Sequence, residues 1–226
     1  MTRILIADDD PHLREVLHYA LGRAGYEVRA VGDGNEALRA HRAEAADLIV
    51  LDVMMPGMDG LEACRELRRH SLVPIVFLSS RDEELDRILG LEIGGDDYMT
   101  KPFSPRELVS RIKAVLRRAR PTGPPSPILS CGGIRLDPEA HRVHVGEVEI
   151  LLTVTEFQLL HVLMTHPGRA YTREELTERA YGEGHHLADR TLDSHIRRIR
   201  HKFREVGRDP VETVHGLGYR LAPGGG

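Results

Sequence analysis

Tryptophan is absent, and phenylalanine and tyrosine bring the aromatics to only 4% of 226 residues. A core must therefore be built from Leu, Val and Ala. There are two cysteines, Cys64 and Cys131. They are far apart and in no metal-ligand spacing, which excludes a disulfide framework and a thiolate metal site. No apolar run is long enough to span a bilayer. The first residues, MTRILIADDD, are too short and too acidic for a signal peptide, so the expected address is the cytoplasm. No internal repeat is seen. Net charge is only -4, which by itself says nothing for nucleic acid. The distribution is less bland: Asp8, Asp9, Asp10 and Asp52 lie early, and Arg190, Arg197, Arg198, Arg200, Lys202 and Arg204 crowd one late stretch.

Residues 3 to 118 alternate between two patterns. The runs RILIA, EVRAV, DLIVLD, PIVFLS and the weaker DYMT read as buried strands. Between them lie amphipathic segments such as His12 to Ala24 and Arg106 to Arg118. Five strands alternating with five helices predict a doubly wound parallel sheet, a (βα)5 α/β domain over residues 1–119. ARPTGPPSP at 119–127 breaks the pattern, and residues 120–127 are assigned to a linker. Residues 128–223 read as a smaller α+β domain. Strands are expected at Ile134 to Asp137, Val143 to Val145 and Val148 to Leu151. Helices are expected from Thr155, from Thr172 as cap with Glu175 at the capping-box position, and from Arg190 to about Glu205. A hairpin follows around His215-Gly216-Leu217-Gly218. That order fits a winged helix, and the Gly224 to Gly226 tail is expected to be disordered.

In an open parallel sheet, ligands bind beyond the carboxyl ends of the strands. Asp8 and Asp9 follow the first strand, Asp52 ends the third, Ser79 the fourth, and Lys101 follows the fifth. Three carboxylates in one crevice repel, and a divalent cation relieves this. An oxygen-only site favours Mg²⁺. Asp52 is then a candidate nucleophile toward a phosphoryl group, with Lys101 and Ser79 available to phosphoryl oxygens. Asp10-Pro11 reads instead as a helix cap followed by proline at the first helical position. Lys101-Pro102 is a candidate cis bond.

The late stretch is also patterned. Leu192, Ile196, Ile199 and Phe203 form one helical stripe that should face a core. Arg190, Ser194, Arg197, Arg200, His201 and Arg204 fall opposite, with His195 and Arg198 flanking. Such a basic face suits phosphates and base edges in a major groove. His185-His186 and His141/His144 make no convincing metal set.

The segments ILIADDD, LIVLDVMMPGMDGLE, PIVFLSS and DDYMTKPFSPREL resemble the receiver domain of two-component response regulators. LLTVTEFQLL, RTLDSHIRRIRHKF and ETVHGLGYRL resemble the effector domain of the OmpR/PhoB type. The first resemblance implies that Asp52 takes a phosphoryl group from a phosphohistidine of a sensor histidine kinase. It gives Asp8 and Asp9 to the Mg²⁺ site, with Asp9 a direct ligand and Met54 supplying a backbone carbonyl. Ser79 and Tyr98 fall at the switch positions. A face of the fourth helix, fifth strand and fifth helix is implied as the dimer interface of the phosphorylated state. The expected pairs there are Arg87 with Glu107, Asp97 with Arg111, Asp96 with Lys113 and Glu92 with Arg118, around Ile88 and Leu91. The second resemblance assigns Arg190, Thr191, Ser194, His195, Arg197, Arg198 and Arg200 to the recognition helix and its phosphate contacts, and Thr213, His215, Gly216, Gly218 and Tyr219 to the wing. Many relatives carry Arg where this chain has His215. Promoter DNA and RNA polymerase are the implied partners. Two competing classes are a Mg²⁺-dependent phosphohydrolase using Asp52 and an adaptor whose basic helix binds protein or RNA.

Overall fold

The computed structural model describes residues 1–80, 93–119, 127–182 and 189–224, the side chains of 189 and 190 excepted. The chain forms two compact units, Met1–Leu116 and Arg117–Gly226. In the first, strands β1 (Arg3–Ala7), β2 (Glu27–Val31), β3 (Leu48–Asp52), β4 (Ile75–Ser79) and β5 (Asp97–Thr100) pair in the order β2-β1-β3-β4-β5. Every pairing is parallel. The helices described are α1 (Pro11–Arg23), α2 (Gly34–Ala43), α3 (Gly60–Arg68) and α4 (Pro105–Ala119). The segment expected to hold a further helix, residues 81–92, lies outside the described residues.

Strand side chains alternate between two clusters, because successive Cβ atoms point to opposite faces. Leu5, Ile49, Leu51 and Phe77 pack with Ala37, Ala63 and Leu67 of α2 and α3. Ile4, Ile6, Val50, Val76 and Leu78 pack with Leu17 and Leu21 of α1 and Leu108, Ile112 and Val115 of α4. Helices on both faces leave β3 and β4 buried at every residue, which is why they read as unbroken apolar runs. Truncating one such side chain to Ala costs about 2–5 kcal/mol. EVRAV departs from its expectation as a buried strand: β2 is an edge, and Glu27 and Arg29 are exposed there.

Three helix starts are set by aspartates: Asp10 accepts from His12 N (2.8 Å) and Leu13 N (3.3 Å), Asp33 from Glu36 N (2.8 Å), and Asp59 from Glu62 N (2.7 Å). Asp10 before Pro11 is thus the cap that the sequence suggests.

The second unit opens with an antiparallel sheet of β6 (Leu129–Cys131), β7 (Ile134–Asp137), β8 (Arg142–Val145) and β9 (Val148–Glu149), in that order. Helices α5 (Val154–Thr165), α6 (Arg173–Tyr181) and α7 (Asp189–Arg204) follow. Strand β10 (Tyr171–Thr172) joins the hairpin β11 (Val211–Val214) and β12 (Gly218–Leu221) in the order β10-β12-β11. β6 and β10 escape the sequence reading because two or three residues carry no period. β9 stops at Glu149 rather than Leu151, which is 59% exposed. Thr172 and Glu175 form the reciprocal capping box, Thr172 N to Glu175 Oε2 at 2.9 Å and Glu175 N to Thr172 Oγ1 at 3.1 Å. Leu160 and Leu163 of α5, Leu176 of α6 and Ile196, Ile199 and Phe203 of α7 meet in one core with Tyr171 and Leu221.

Candidate functional site

The carboxyl ends of β1, β3, β4 and β5 bring the expected pocket together. Asp8 is fully buried and Asp52 is 2% exposed. Lys101 Nζ donates to Asp8 Oδ2 at 2.8 Å and to Asp52 Oδ2 at 2.9 Å. The other oxygens are also held: Asp10 N donates to Asp8 Oδ1 at 2.9 Å, and Met54 N to Asp52 Oδ1 at 3.4 Å. Arg14 of α1 donates from Nη1 to the Asp8 carbonyl at 2.6 Å. Sequence reading gave Arg14 no part here, since nothing in the α1 pattern separates it from a solvated arginine. The Lys101-Pro102 bond is cis. Ser79 is fully buried at the end of β4, and its carbonyl accepts from Lys101 N at 2.7 Å. Tyr98 is 7% exposed and packs in the cluster on the α2/α3 face.

Burial pushes the Asp52 carboxyl up, and the neighbouring Lys101 opposes this without cancelling it. For Lys101 the balance is reversed. Burial works against its charge, but its bonds to Asp8 and Asp52 win and raise it. One carboxylate oxygen each of Asp8, Asp9 and Asp52 lies within 4.8 Å of the others, with Asp9 exposed. This all-oxygen set fits a hard divalent cation that keeps part of its water shell.

Of the expected dimer residues, Arg87, Ile88, Leu91 and Glu92 lie outside the described residues. Asp97, 1% exposed, is held within the same chain by Arg111, whose Nη1 reaches its two oxygens at 3.2 and 3.3 Å. Glu107 meets Arg111 at 3.4 Å and Lys113 is exposed. Asp96 is a correction. It is fully buried, pairs with Arg68 at 3.3 Å and accepts from Ile75 N at 3.0 Å, so it does not face Lys113 from the surface. Adjacent aspartates at a strand start point to opposite sides, which the sequence reading overlooked. Arg118 belongs to the second unit and is 5% exposed.

The basic helix α7 is narrower at its surface than its polar residues suggest. Leu192, Ile196, Ile199 and Phe203 face the core as expected. Thr191 (2% exposed), Ser194 (4%) and His195 (0%) are buried too, which corrects the place of Ser194 opposite the stripe and the surface contacts implied for Thr191 and His195. They flank the apolar stripe, and the covered arc is wider than the stripe itself. Arg197 is exposed; the Arg190 side chain is outside the described residues. Arg198 turns to the fully buried Glu156 (2.8 Å), which Lys202 also meets at 2.6 Å. Burial alone would raise the Glu156 carboxyl, but Lys202 and Arg198 hold it below the usual range. Glu156 also accepts from Thr153 N at 2.8 Å, so one acid caps α5 and anchors α7.

The wing is tied to the same helix. Arg200 donates to Val211 O at 2.8 Å and Thr213 Oγ1 at 2.9 Å. Tyr219 is 5% exposed, a further correction, and its hydroxyl donates to Asp193 Oδ1 at 2.7 Å. Arg173 of α6 donates to the same carboxylate, Nε to Oδ1 at 2.9 Å and Nη2 to Oδ2 at 3.3 Å. Burial and the Asp193 charge push the Tyr219 hydroxyl up to about 12. Thr213, His215 and Gly216 are exposed along the hairpin, and Gly216 takes a left-handed φ of 75° at its tip. Asp193, Arg173 and Glu156 were missed from sequence. An acid inside a basic helix was the available signal.

Two family models match, "Response regulator receiver domain" over residues 4–113 and "Transcriptional regulatory protein, C terminal" over residues 146–221. The sensory transduction protein RegX3 of Mycolicibacterium smegmatis is 43% identical over 98% of this chain and 99% of its own length. The phosphate regulon transcriptional regulatory protein PhoB of Escherichia coli K12 is 43% identical over 97% of each chain, and that of Pseudomonas aeruginosa 45% over 97% and 96%. Among solved structures, a point mutant of RitR aligns with a TM-score of 0.77 at 28% identity, covering 99% of this chain and all of that one. The Thermotoga maritima OmpR/PhoB homologue DrrB aligns at 0.53 and 28% identity over 98% and 99%. With an acidic pocket at the strand ends of one unit, a basic helix and wing on the other, and relatives matched end to end, the chain belongs to the OmpR/PhoB-type two-component response regulators.

Proposed function

We propose that Asp52 is the phosphoacceptor, taking a phosphoryl group from a sensor histidine kinase, and that its phosphorylation pairs receivers and drives the second unit onto promoter DNA. One observation carries the reading: Lys101 Nζ stands within 2.9 Å of both Asp8 and Asp52 at the ends of parallel strands. In the transfer, an Asp52 oxygen forms the new bond to phosphorus as the bond to the donor nitrogen breaks, and the imidazole keeps the electron pair. Such transfers rest on alignment and charge neutralisation. In this reading Lys101 neutralises one phosphoryl oxygen and the Ser79 hydroxyl donates to another. Asp8, Asp9, Asp52 and the Met54 carbonyl would hold Mg²⁺, which supplies neutralisation of the transferred group's charge.

Tyr98 and Ser79 are the switch pair in this reading, and Asp97, Glu107, Arg111 and Lys113 belong to the pairing face. Charges there specify orientation more than affinity. Two paired winged helices gain from linking two weak contacts. RNA polymerase is the downstream partner. The chemistry stops at self-phosphorylation and slow loss of the phosphate, so the chain is a switch and not a metabolic enzyme. Among the described residues no helix is long and apolar enough to cross a membrane, and the cytoplasm is the proposed location.

Intact-protein mass spectrometry after incubation with acetyl phosphate and Mg²⁺ tests the central step. A single phosphoryl adduct is expected on wild type, absent from Asp52→Asn and lost with chelator. An adduct that persists in Asp52→Asn overturns the assignment.

A further inference from the structure

We propose that Asp193 is a positioning residue that locks the recognition helix α7 to the wing strand β12, and so sets discrimination among DNA sequences rather than general affinity for DNA. The proposal rests on the DNA-binding reading above. Among the described side chains of α7, Asp193 is the acid beside an exposed side that is otherwise basic, and its side chain is 40% exposed. An unpaired carboxylate there would repel phosphates. Instead Oδ1 accepts from both Tyr219 Oη (2.7 Å) and Arg173 Nε (2.9 Å), and Oδ2 from Arg173 Nη2 (3.3 Å). Three elements therefore meet on one carboxylate: α6 through Arg173, α7 through Asp193 and the wing through Tyr219.

The rings and cations around it complete the lock. The Tyr219 ring has the Arg173 guanidinium 5.2 Å from its centre and the Arg200 guanidinium at 5.7 Å. Arg200 in turn holds Val211 and Thr213 of β11. The helix reads a major groove and the wing an adjacent minor groove, so their mutual angle decides whether both engage one site. Contacts to phosphate tolerate small shifts; paired contacts to base edges do not. A loosened wing should spare the first kind and lose the second.

The test uses the full chain and two probes: a duplex enriched by the wild type from a randomised pool, and a random-sequence duplex of equal length. The dissociation constant on the random duplex divided by that on the enriched duplex is the ratio read at several salt concentrations for Asp193→Ala, Asp193→Asn, Tyr219→Phe and the Ala/Phe double variant. Asp193→Ala and Tyr219→Phe should each lower the ratio about tenfold, and the double variant no further, since both remove one lock. Asn keeps an Oδ1 acceptor for both Tyr219 and Arg173 Nε, so it should stay within about threefold of wild type. The salt slope, which counts phosphate contacts, should change by less than about one.

Equal losses in Asn and Ala would assign the effect to charge and overturn the lock. So would an unchanged ratio in Asp193→Ala, additive losses in the double variant, or equal weakening on both probes with a lower melting temperature. Failure of the wild type to enrich any sequence is a separate result, and it overturns the DNA-binding reading itself.

Discussion

A Cβ atom on Gly60 would stand 2.0 Å from the carbonyl oxygen of Asp52 and 2.9 Å from its carbonyl carbon. The first turn of α3 thus rests on the backbone of Asp52, the proposed phosphoacceptor, and Gly60 N donates to Val53 O at 3.1 Å. The obstacle is main chain, which cannot rotate away as a side chain could. Gly60→Ala must push α3 off the sheet or push Asp52 out of line with Lys101. We expect phosphoryl adduct formation with acetyl phosphate to slow at least about tenfold, because in-line transfer is intolerant of small displacements, and the receiver to lose about 1–3 kcal/mol from overpacking. Wild-type labelling rates in Gly60→Ala would show that the close approach has no bearing on Asp52.

Asp96 makes the second prediction, and it sets a structural role against an interface role. Its carboxylate is fully buried, while Arg68 is also bound to the carbonyls of Gly94 (2.8 Å) and Val73 (2.8 Å). Removing the acid strands a nearly buried guanidinium, which costs about 3–5 kcal/mol. Asp96→Ala should lower the urea midpoint of the receiver accordingly, whereas Lys113→Ala, at an exposed position, should stay within about 0.5 kcal/mol. Comparable small effects from both variants would return Asp96 to the surface.

The receiver pocket, Arg14 apart, was legible in sequence because Asp8, Asp9, Asp52, Ser79 and Lys101 stand where apolar runs stop. Strand ends are marked by the change from Leu, Ile and Val to Asp, Ser or Lys, and a parallel sheet gathers those ends. The basic helix was legible only in part. The stripe of Leu192, Ile196, Ile199 and Phe203 gave its core face, yet Thr191, Ser194 and His195 are buried beside it. Polarity does not report burial where small or aromatic polar groups fill the flank of a stripe. Nor does charge report its partner: Arg198 and Lys202 look like Arg197 in sequence, but a buried Glu156, 42 residues before Arg198 in the numbering, claims them.

His141 gives a pH prediction for the second unit. Its ring stacks on Phe157 with centroids 3.7 Å apart, and neither ring nitrogen has a hydrogen-bond partner. Burial, helped by the His161 charge, lowers its pKa to about 4 from an ordinary 6.5. The folded state therefore resists a proton that the unfolded chain accepts. Stability is intact above about pH 6.5 and falls as the pH drops toward 4, by up to about 3 kcal/mol at 1.36 kcal/mol per unit. His141→Gln should flatten the melting temperature between pH 7 and 5 relative to wild type. Parallel pH profiles for the two proteins would assign the acid sensitivity to other groups.

His215 stands exposed at the wing, next to the left-handed turn of Gly216. The hairpin around it is held from behind by α7, whose Arg200 bonds Thr213 of β11 and whose Asp193 bonds Tyr219 of β12, so a new side chain at 215 changes what the wing offers without changing where the wing sits. Arginine there brings a permanent charge and a planar fork that suits a narrow minor groove. We expect His215→Arg to tighten binding to an enriched duplex several-fold, with a salt slope steeper by up to about one, since one added cation displaces at most one counterion. Fluorescence anisotropy across 50 to 200 mM salt reads both quantities at once. Tighter binding with an unchanged slope would mean a base or sugar contact, whereas unchanged or weaker binding at every salt would remove the wing tip from the DNA interface.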